Sequence, residues 1–124
     1  GVMHRNTFIN SPSLLLRGLN LKARPDVFIA GQLSGVEGYM ESAASGIVAA
    51  INAVRYIKGQ EPLILPDYTM IGALLNYICT EPSGDFQPMG ANFGIIPPIE
   101  RVIKDKTERY AAYSQRSLEY FKTL

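Results

Sequence analysis

The chain has 124 residues, of which 47% are hydrophobic and 19% are charged. This length and composition suit one folded unit with a core, and they exclude a chain that is disordered by composition. The net charge of +1, the single cysteine and the single histidine exclude a generally basic nucleic-acid-binding chain, an internal disulfide and a multi-histidine metal site.

The first 22 residues predict short extended pieces separated by turns. An extended piece is expected over 3–8, and a turn follows at Asn10-Ser11-Pro12-Ser13. Leucines on both sides of Arg17-Gly18-Leu19-Asn20 predict a β-hairpin, or a strand and a bend, over 14–22. Pro25 then interrupts the chain before the next apolar run.

The central stretch, 27–58, predicts a strand, a glycine-containing turn and a helix. Residues 27–32 begin with an apolar run of β-branched and aromatic residues, Val27, Phe28 and Ile29, which is typical of a buried strand. Ser34 and Glu37 have the spacing of a capping box at a helix start. The helix that follows has apolar residues at helical spacing: Met40, Ala43, Ala44, Ile47, Val48, Ile51 and Val54. One face has only small residues, which we expect to pack closely against a sheet or another backbone: Ser42, Ser45, Gly46, Ala49 and Ala53.

Two interpretations of this turn remain open on the residues alone. A strand that ends at glycines and leads into a helix can hold a ligand, because the first N–H groups of a helix have no internal partner. Gly31, Gly35 and Gly38 would allow a ligand to approach the backbone closely. The alternative is a simple strand–helix connection that Ser34 caps.

The second half of the chain predicts two more helices joined by a loop. A helix is expected over 69–80, started by Asp67 or Thr69, and a further helix over 98–123, started by Pro98. Cys79 is expected to be an inert thiol, because Glu81 is the nearest charge and would disfavour a thiolate. Arg101, Lys104, Lys106 and Arg109 form a basic cluster that is either an ordinary solvated helix face or an RNA-phosphate patch.

Three stretches resemble one family. Residues 28–46, which read FIAGQLSGVEGYMESAASG, resemble the second FAD-binding motif of the folate- and FAD-dependent tRNA uridine-5-methyltransferases (TrmFO, formerly Gid). A related motif occurs in the GidA/MnmG proteins, but 3–12 and 86–94 are more similar to TrmFO. The matches span nearly the whole chain in order.

The resemblance implies an α/β fold, namely the C-terminal part of a Rossmann-like FAD/NAD(P)-binding domain with few strands plus three helices. It also implies that 1–124 is a single unit and a fragment of a longer protein. Binding of FAD by the fragment alone is therefore expected to be poor. It implies no catalytic residue and no metal in this fragment. The residues implied to bind FAD are Gly31, Gln32, Ser34, Gly35, Val36, Glu37 and Gly38, and those implied at the pocket edge are His4, Arg5, Asn6, Gln87 and Asn92.

For the intact protein, the resemblance implies a cytoplasmic enzyme that forms 5-methyluridine in the tRNA T-loop. FAD would be its cofactor, and methylenetetrahydrofolate and NAD(P)H its co-substrates. The backbone N–H groups of 35–38 would face the flavin or its ribityl-phosphate side, and Gln32 would bond the ribityl chain. No membrane association is expected, and the fragment is expected to self-associate through exposed sheet edges.

Three alternatives remain. The intact protein could be a GidA/MnmG-like enzyme that makes another uridine modification with the same cofactors. It could be a general FAD/NAD oxidoreductase without an RNA substrate. The piece could also be a folded interaction module with no enzymatic role.

Overall fold

The computed structural model describes residues 7–99 and 102–124. Within these ranges the chain forms four α-helices: α1, Ser11–Leu14; α2, Tyr39–Ile57; α3, Met70–Ile78; and α4, Lys106–Phe121. Two 3₁₀ turns, Gly31–Ser34 and Phe93–Ile95, lie between them. None of the helices in the described ranges is long and apolar enough to cross a membrane.

The strands predicted for an α/β unit are not found in the described residues, which contain only isolated β-bridges. The expected strand over 27–32 is an extended segment in which Phe28 forms an antiparallel bridge with Asn20. The Ile29 N–H donates to the Leu19 carbonyl oxygen at 2.9 Å, but no ladder follows. Extended geometry ends at Gly31, whose φ of 71° begins the 3₁₀ turn.

The hairpin, or strand and bend, predicted over 14–22 is present only as a bend with one antiparallel bridge, which follows a helical turn. Leu14 is the last residue of α1, and Leu15 and Leu21 form an antiparallel bridge. The Leu16 N–H donates to the Asn20 carbonyl oxygen at 2.8 Å, so the bend closes on itself. The extended piece expected over 3–8 lies mostly outside the described residues, which begin at residue 7.

The predicted capping box is wrong. Ser34 belongs to the 3₁₀ turn, where its hydroxyl donates to the Gly31 carbonyl oxygen at 2.7 Å. Helix α2 begins only at Tyr39, and its N-cap is Gly38, with φ 106° and ψ 150°. These angles strongly favour glycine, so the local backbone conformation decides where the helix begins.

Helix α2 is present, and two residues of the small face that was expected to pack closely, Ser45 and Ala49, are buried. Its buried residues are Ser45, Val48, Ala49 and Asn52. Met40, Ile47 and Val54, which lie at helical spacing, are 82%, 62% and 50% exposed. The small residues allow the helix backbone to approach the core closely, and they displace the larger apolar residues to the outside.

Asn52 fixes the inner face of α2 to the neighbouring loops. It is 2% exposed. Its side-chain amide donates to the carbonyl oxygens of Gly18 and Leu63 at 3.2 and 3.1 Å, and its oxygen accepts from the Leu63 N–H at 2.6 Å. One buried polar side chain therefore pairs three backbone groups that would otherwise lie unpaired beneath the helix.

The pattern over 69–80 predicts a helix, and the structure has α3 over Met70–Ile78. The Thr69 hydroxyl caps it by accepting from the Gly72 N–H at 3.0 Å. Residues of α3 form the centre of the core together with residues of α2 and of the non-helical segments that precede each of the two helices. The core residues are Leu15, Leu19, Val36, Val48, Ala49, Leu65, Leu74, Leu75 and Ile78.

The last helix begins later than the sequence predicts. Residues 97–99 and 102–104 are not helical, and α4 starts at Lys106 because the Asp105 carboxylate accepts from the Glu108 N–H at 3.1 Å. Arg116 donates from α4 to the carbonyl oxygens of Pro97 and Pro98 at 2.7 and 3.3 Å. This clamp holds the proline pair beside α4, so the pair does not form the first turn of the helix.

Candidate cofactor-binding site

The turn that carries the predicted FAD-binding residues is built from glycines in the left-handed half of conformational space. Gly31, Gly35 and Gly38 have φ values of 71°, 96° and 106°. Side chains at these positions would strain the backbone. The glycines therefore set the path of the chain from the 3₁₀ turn into α2.

Serine side chains fix this turn from two sides. The Gly31 N–H donates to the Ser45 hydroxyl of α2 at 2.8 Å, and that hydroxyl in turn donates to the Ser42 carbonyl oxygen. The hydroxyl of fully buried Ser11 donates to the Ser34 carbonyl oxygen at 2.6 Å. These bonds, together with burial, make the turn a preformed element.

The loop 86–94 lies directly against the turn. Val36 and Met89 form a parallel bridge, in which the Glu37 N–H donates to the Met89 carbonyl oxygen at 3.0 Å. The Met89 N–H donates to the Gly35 carbonyl oxygen at 2.9 Å. The structure therefore brings the stretch 86–94 against the stretch 28–46, which Ile9 and Ser11 of the first stretch also contact.

The phenyl ring of Phe86 occupies the space beside Gly35. A methyl group at Gly35 would lie 2.5 Å from the ring atom Cζ of Phe86. Phe86 also contacts Phe8 edge-to-face, with ring centroids 5.9 Å apart. Glycine at 35 is thus required by packing as well as by its φ angle.

A cleft of about 340 Å³ opens on the solvent side of the turn, lined by Gln32, Val36, Glu37, Gly38, Tyr39 and Ser42. Four of the predicted cofactor residues line it, whereas Ser34 and Gly35 are buried and Gly31 is half-buried. The prediction of binding residues omitted Tyr39 and Ser42. Both lie within the motif 28–46, and their position on the first turn of α2 was a signal that could have identified them.

Two of the four N–H groups predicted to face a ligand are used inside the protein. The Gly35 N–H donates to the Gln32 carbonyl oxygen at 3.0 Å, and the Glu37 N–H donates to Met89. The prediction that the N–H groups of 35–38 as a set face the flavin is therefore wrong for these two. The N–H groups of Tyr39, Met40 and Glu41 are the donors that the helix itself leaves without a partner, since the Ser42 N–H already donates to the Gly38 carbonyl oxygen.

The start of α2 also carries a carboxylate. The side chain of Glu41 folds back over Gly38, where its Oε2 occupies the space that a methyl group at Gly38 would need. Its Oε1 accepts from the Ala91 N–H at 3.4 Å and so connects α2 to the loop 86–94. A negative charge is favourable near a helix N-terminus, and here the protein supplies its own.

The predicted pocket-edge residues have mixed outcomes. Gln87 and Asn92 are exposed on the loop 86–94. The Asn92 amide is engaged within the loop: its oxygen accepts from the Gly94 N–H at 2.9 Å and its nitrogen donates to the Gly90 carbonyl oxygen at 3.1 Å. His4, Arg5 and Asn6 lie outside the described residues. The chain that follows them reaches the turn, since the Ile9 N–H donates to the Leu33 carbonyl oxygen at 2.9 Å.

Cys79 has the environment of an unreactive thiol. Burial raises its pKa, and the positive charges of Arg17 and Lys22 only partly oppose this. Its sulfur lies 3.6 Å from the Leu16 carbonyl oxygen. No group of three or more His, Cys, Asp or Glu side chains that could hold a metal ion occurs in the part of the chain that the structure describes.

The basic cluster near the start of α4 is mixed in charge. Asp105 and Glu108 lie among Lys104, Lys106 and Arg109, and Arg101 is outside the described residues. Lys106 and Arg109 lie over the Tyr110 ring, 5.5 and 5.6 Å from its centroid. The cluster is therefore packed on an aromatic side chain and partly neutralised, which favours the interpretation as a solvated helix face.

Comparison with known proteins agrees with the motif stretches. Residues 1–61 match the family described as Glucose inhibited division protein A. A protein of Syntrophomonas wolfei named Methylenetetrahydrofolate--tRNA-(uracil-5-)-methyltransferase TrmFO is 59% identical over 118 residues, which cover 95% of this chain. Proteins of the same name from Bacillus cereus and Bacillus anthracis are 57% identical over 119 residues, or 96% of the chain.

The chain is similar to proteins named TrmFO over nearly its whole length. It spans only 27% of the length of the relatives from Syntrophomonas wolfei and Bacillus cereus. That it corresponds to the C-terminal part of the longer TrmFO proteins stays a prediction, as does the assignment of 1–124 to one FAD-binding unit. The roles of the individual turn residues are likewise predictions.

Proposed function

We propose that this chain is a piece of a folate- and FAD-dependent tRNA (uracil-5-)-methyltransferase. The observation that carries the proposal is the identity of 57–59% to relatives of that name over at least 95% of the chain. The preformed glycine turn supports it, because the motif residues that resemble an FAD-binding element line a common cleft. The proposed cellular site is the cytoplasm, where tRNA modification would take place.

The cleft suits the uncharged part of the cofactor. Glu37 lines it, and the Glu41 carboxylate lies at the start of α2. Two carboxylates would repel a phosphate, but they can accept hydrogen bonds from ribityl hydroxyl groups. We therefore propose that the ribityl chain or the flavin ring lies here, and that the pyrophosphate binds a part of the protein outside this chain.

In this proposal the residues of the chain bind and orient the cofactor. Gln32 would hydrogen-bond the ribityl chain without adding charge, and Tyr39 and Ser42 would contact the cofactor from the first turn of α2. FAD, reduced with NAD(P)H, would supply the two electrons that convert a methylene unit into a methyl group. The methylene unit would come from methylenetetrahydrofolate, and the uridine would lose its C5 hydrogen as a proton.

The test replaces the matching segment of the Bacillus cereus relative by this chain and keeps the rest of that protein. The purified chimera should show a flavin absorbance spectrum and should methylate tRNA only when methylenetetrahydrofolate is present. A Gln32→Leu chimera should lose most of its flavin. The matched control is Gln115→Leu, because Gln115 is an exposed glutamine of α4 that bonds Glu119 and is remote in sequence from the turn.

A folded chimera without flavin would contradict the cofactor proposal, and one with flavin but no methylation would contradict the proposed reaction. Full flavin content in Gln32→Leu would remove the role proposed for that residue. If the flavin chemistry proceeded without tRNA, the proposal would give way to a general oxidoreductase.

The match to Glucose inhibited division protein A over residues 1–61 favours a second candidate. A GidA-like protein would use the same cofactors to build a different uridine modification. The product distinguishes the two, since only the first candidate converts uridine into 5-methyluridine. Mass spectrometry of tRNA nucleosides from the chimera reaction would decide between them.

A further inference from the structure

Helix α2 exposes an apolar face along its whole length. The exposed residues of this outer face lie at helical spacing and are Met40, Ala43, Ile47, Ala50, Ile51 and Val54. Met40 is 82% exposed and Ile47 is 62% exposed. Side chains of this size and shape are typical of a protein interior and not of a solvated helix.

The same helix already buries its opposite side, where Ser45, Val48, Ala49 and Asn52 face the core. Glu41 and Arg55 are the charged residues among its 19 positions. A solvent-facing helix normally has charged and polar residues opposite its buried face. A helix that is buried on one side and apolar on the opposite side is typical of a position between two packed layers.

We infer that the outer face of α2 is the docking surface for the remaining polypeptide of the intact protein. This inference goes beyond the proposed function and rests on its first part, that the chain is a piece of a longer protein. Because the chain spans 27% of its relatives, about three quarters of an intact relative is polypeptide of other sequence. That polypeptide is long enough to form a second layer over α2.

The surface chemistry of the outer face favours an apolar protein partner over RNA. None of its six residues carries a charge, so it offers no partner to phosphate groups. At its N-terminal end, Met40 and Ala44 line a cleft of about 310 Å³ with Ile71, Leu74 and Phe121. An apolar side chain of the covering layer would fit into this cleft.

Docking on α2 would also complete the candidate cofactor site. The glycine turn leads directly into the first residue of α2, so a layer held against this helix has a fixed position relative to the cleft at Gln32 and Gly38. The outer face would thus join the half of the cofactor site in this chain to the half supplied by the rest of the protein.

The test introduces Ile47→Glu into the Bacillus cereus chimera and compares it with Val102→Glu. Val102 is a β-branched residue that is 91% exposed and lies outside α2, so the control makes the same change at another exposed apolar position. Ile47→Glu should lower the flavin content roughly tenfold or more and lower the midpoint of thermal unfolding, because it places a charge in an apolar interface. Val102→Glu should leave both close to those of the parent chimera.

A second variant, Ile47→Met, keeps the face apolar and should retain flavin and stability. Equal behaviour of Ile47→Glu and Val102→Glu would overturn the inference, because the outer face would then be solvent-exposed in the intact protein. Self-association of the 124-residue chain that Ile47→Glu abolishes, with an unaffected chimera, would instead assign the face to a second copy and would also overturn it. Neither readout depends on methylation, so failure here is distinct from failure of the proposed reaction.

Discussion

Helices α2 and α4 differ in how many charged residues they carry and in how many residues they bury. α2 has two charged residues among 19 positions, whereas α4 has five among 16, namely Lys106, Glu108, Arg109, Arg116 and Glu119. α2 has four buried residues and α4 has none. The sequence of α4 suits a helix at the edge of a molecule, and that of α2 suits a helix inside one.

The anchors of the two helices differ as well. α2 is fixed by fully buried polar side chains, Ser45 and Asn52, and by the core around Val48. α4 is held by half-buried aromatic contacts, such as the stack of Tyr110 on Phe93 with ring centroids 4.1 Å apart, and by the Arg116 clamp. It follows that α2 contributes to the core of the described residues, while α4 packs on the outside of that core.

The largest effect is expected at the inner face of α2. Asn52→Ala removes the partner of the Leu63 N–H and of the carbonyl oxygens of Gly18 and Leu63. Because buried backbone groups without partners are costly, the free energy of unfolding should fall by about 2–4 kcal/mol. Urea unfolding of the 124-residue chain, followed by circular dichroism, measures this.

A smaller loss is expected from the corresponding change in α4. Arg116→Ala removes the bonds to Pro97 and Pro98 and the cation–π contacts with Tyr68 and Tyr113. Because Arg116 is only half-buried, the loss should be about 1–2 kcal/mol in the same measurement. Lys122→Ala, at an exposed residue after α4, is the control. A larger loss for Arg116→Ala than for Asn52→Ala would reverse the comparison.

The two helix starts differ in their dependence on a side chain. Asp105→Ala removes the carboxylate that caps α4 and should cost about 1 kcal/mol, whereas Asp105→Asn keeps an acceptor and should cost less. Helix α2 has glycine at its N-cap and no side-chain cap bond. Amide hydrogen exchange should report fraying at the first turn of α4 in Asp105→Ala, and unchanged protection in α2.

The smallest effect has the opposite sign. A methyl group at Gly46, inside α2, would meet no atom within 4 Å, so Gly46→Ala should stabilise the chain by about 0.5–1 kcal/mol. Gly59, which follows α2, has a φ of 69°, so Gly59→Ala should destabilise it. Thermal unfolding of the two variants should shift in opposite directions. A shift in the same direction would show that Gly46 has a neighbour.

The sequence predicts elements where local chemistry decides the structure. Thr69 precedes an apolar periodic stretch, and α3 begins one residue later because its hydroxyl caps the helix. The glycine turn is also predicted from the residues, because glycine adopts positive φ values more readily than other residues, and this turn has positive φ at three glycines. By contrast, the predicted start of the last helix at Pro98 is wrong. Proline is common at the first helical position, but here Arg116 holds Pro97 and Pro98 beside α4, and Asp105 caps the helix.

Other features depend on residues that are remote in sequence. Ser45 bonds Gly31, Ser11 bonds Ser34, and Met89 pairs with Val36, and none of these contacts follows from local spacing. The apolar spacing of α2 identifies a row of larger apolar residues, but it does not say which partner covers them. In the described residues, α2 packs its small residues against the core. Its larger apolar residues are exposed and available to a second layer. No sheet is present in these residues, so the sheet edge on which the self-association prediction rested has no counterpart there.

Hydroxyl-radical labelling followed by mass spectrometry tests the two-sided character of α2 most directly. It would compare the 124-residue chain with the Bacillus cereus chimera at Met40 and Ile47 of α2, and at Leu118 of α4, which is 56% exposed. If a second layer covers α2, all three residues should be labelled strongly in the chain, and in the chimera Met40 and Ile47 should be protected but Leu118 should not. Equal labelling of Met40 and Ile47 in both proteins would contradict it.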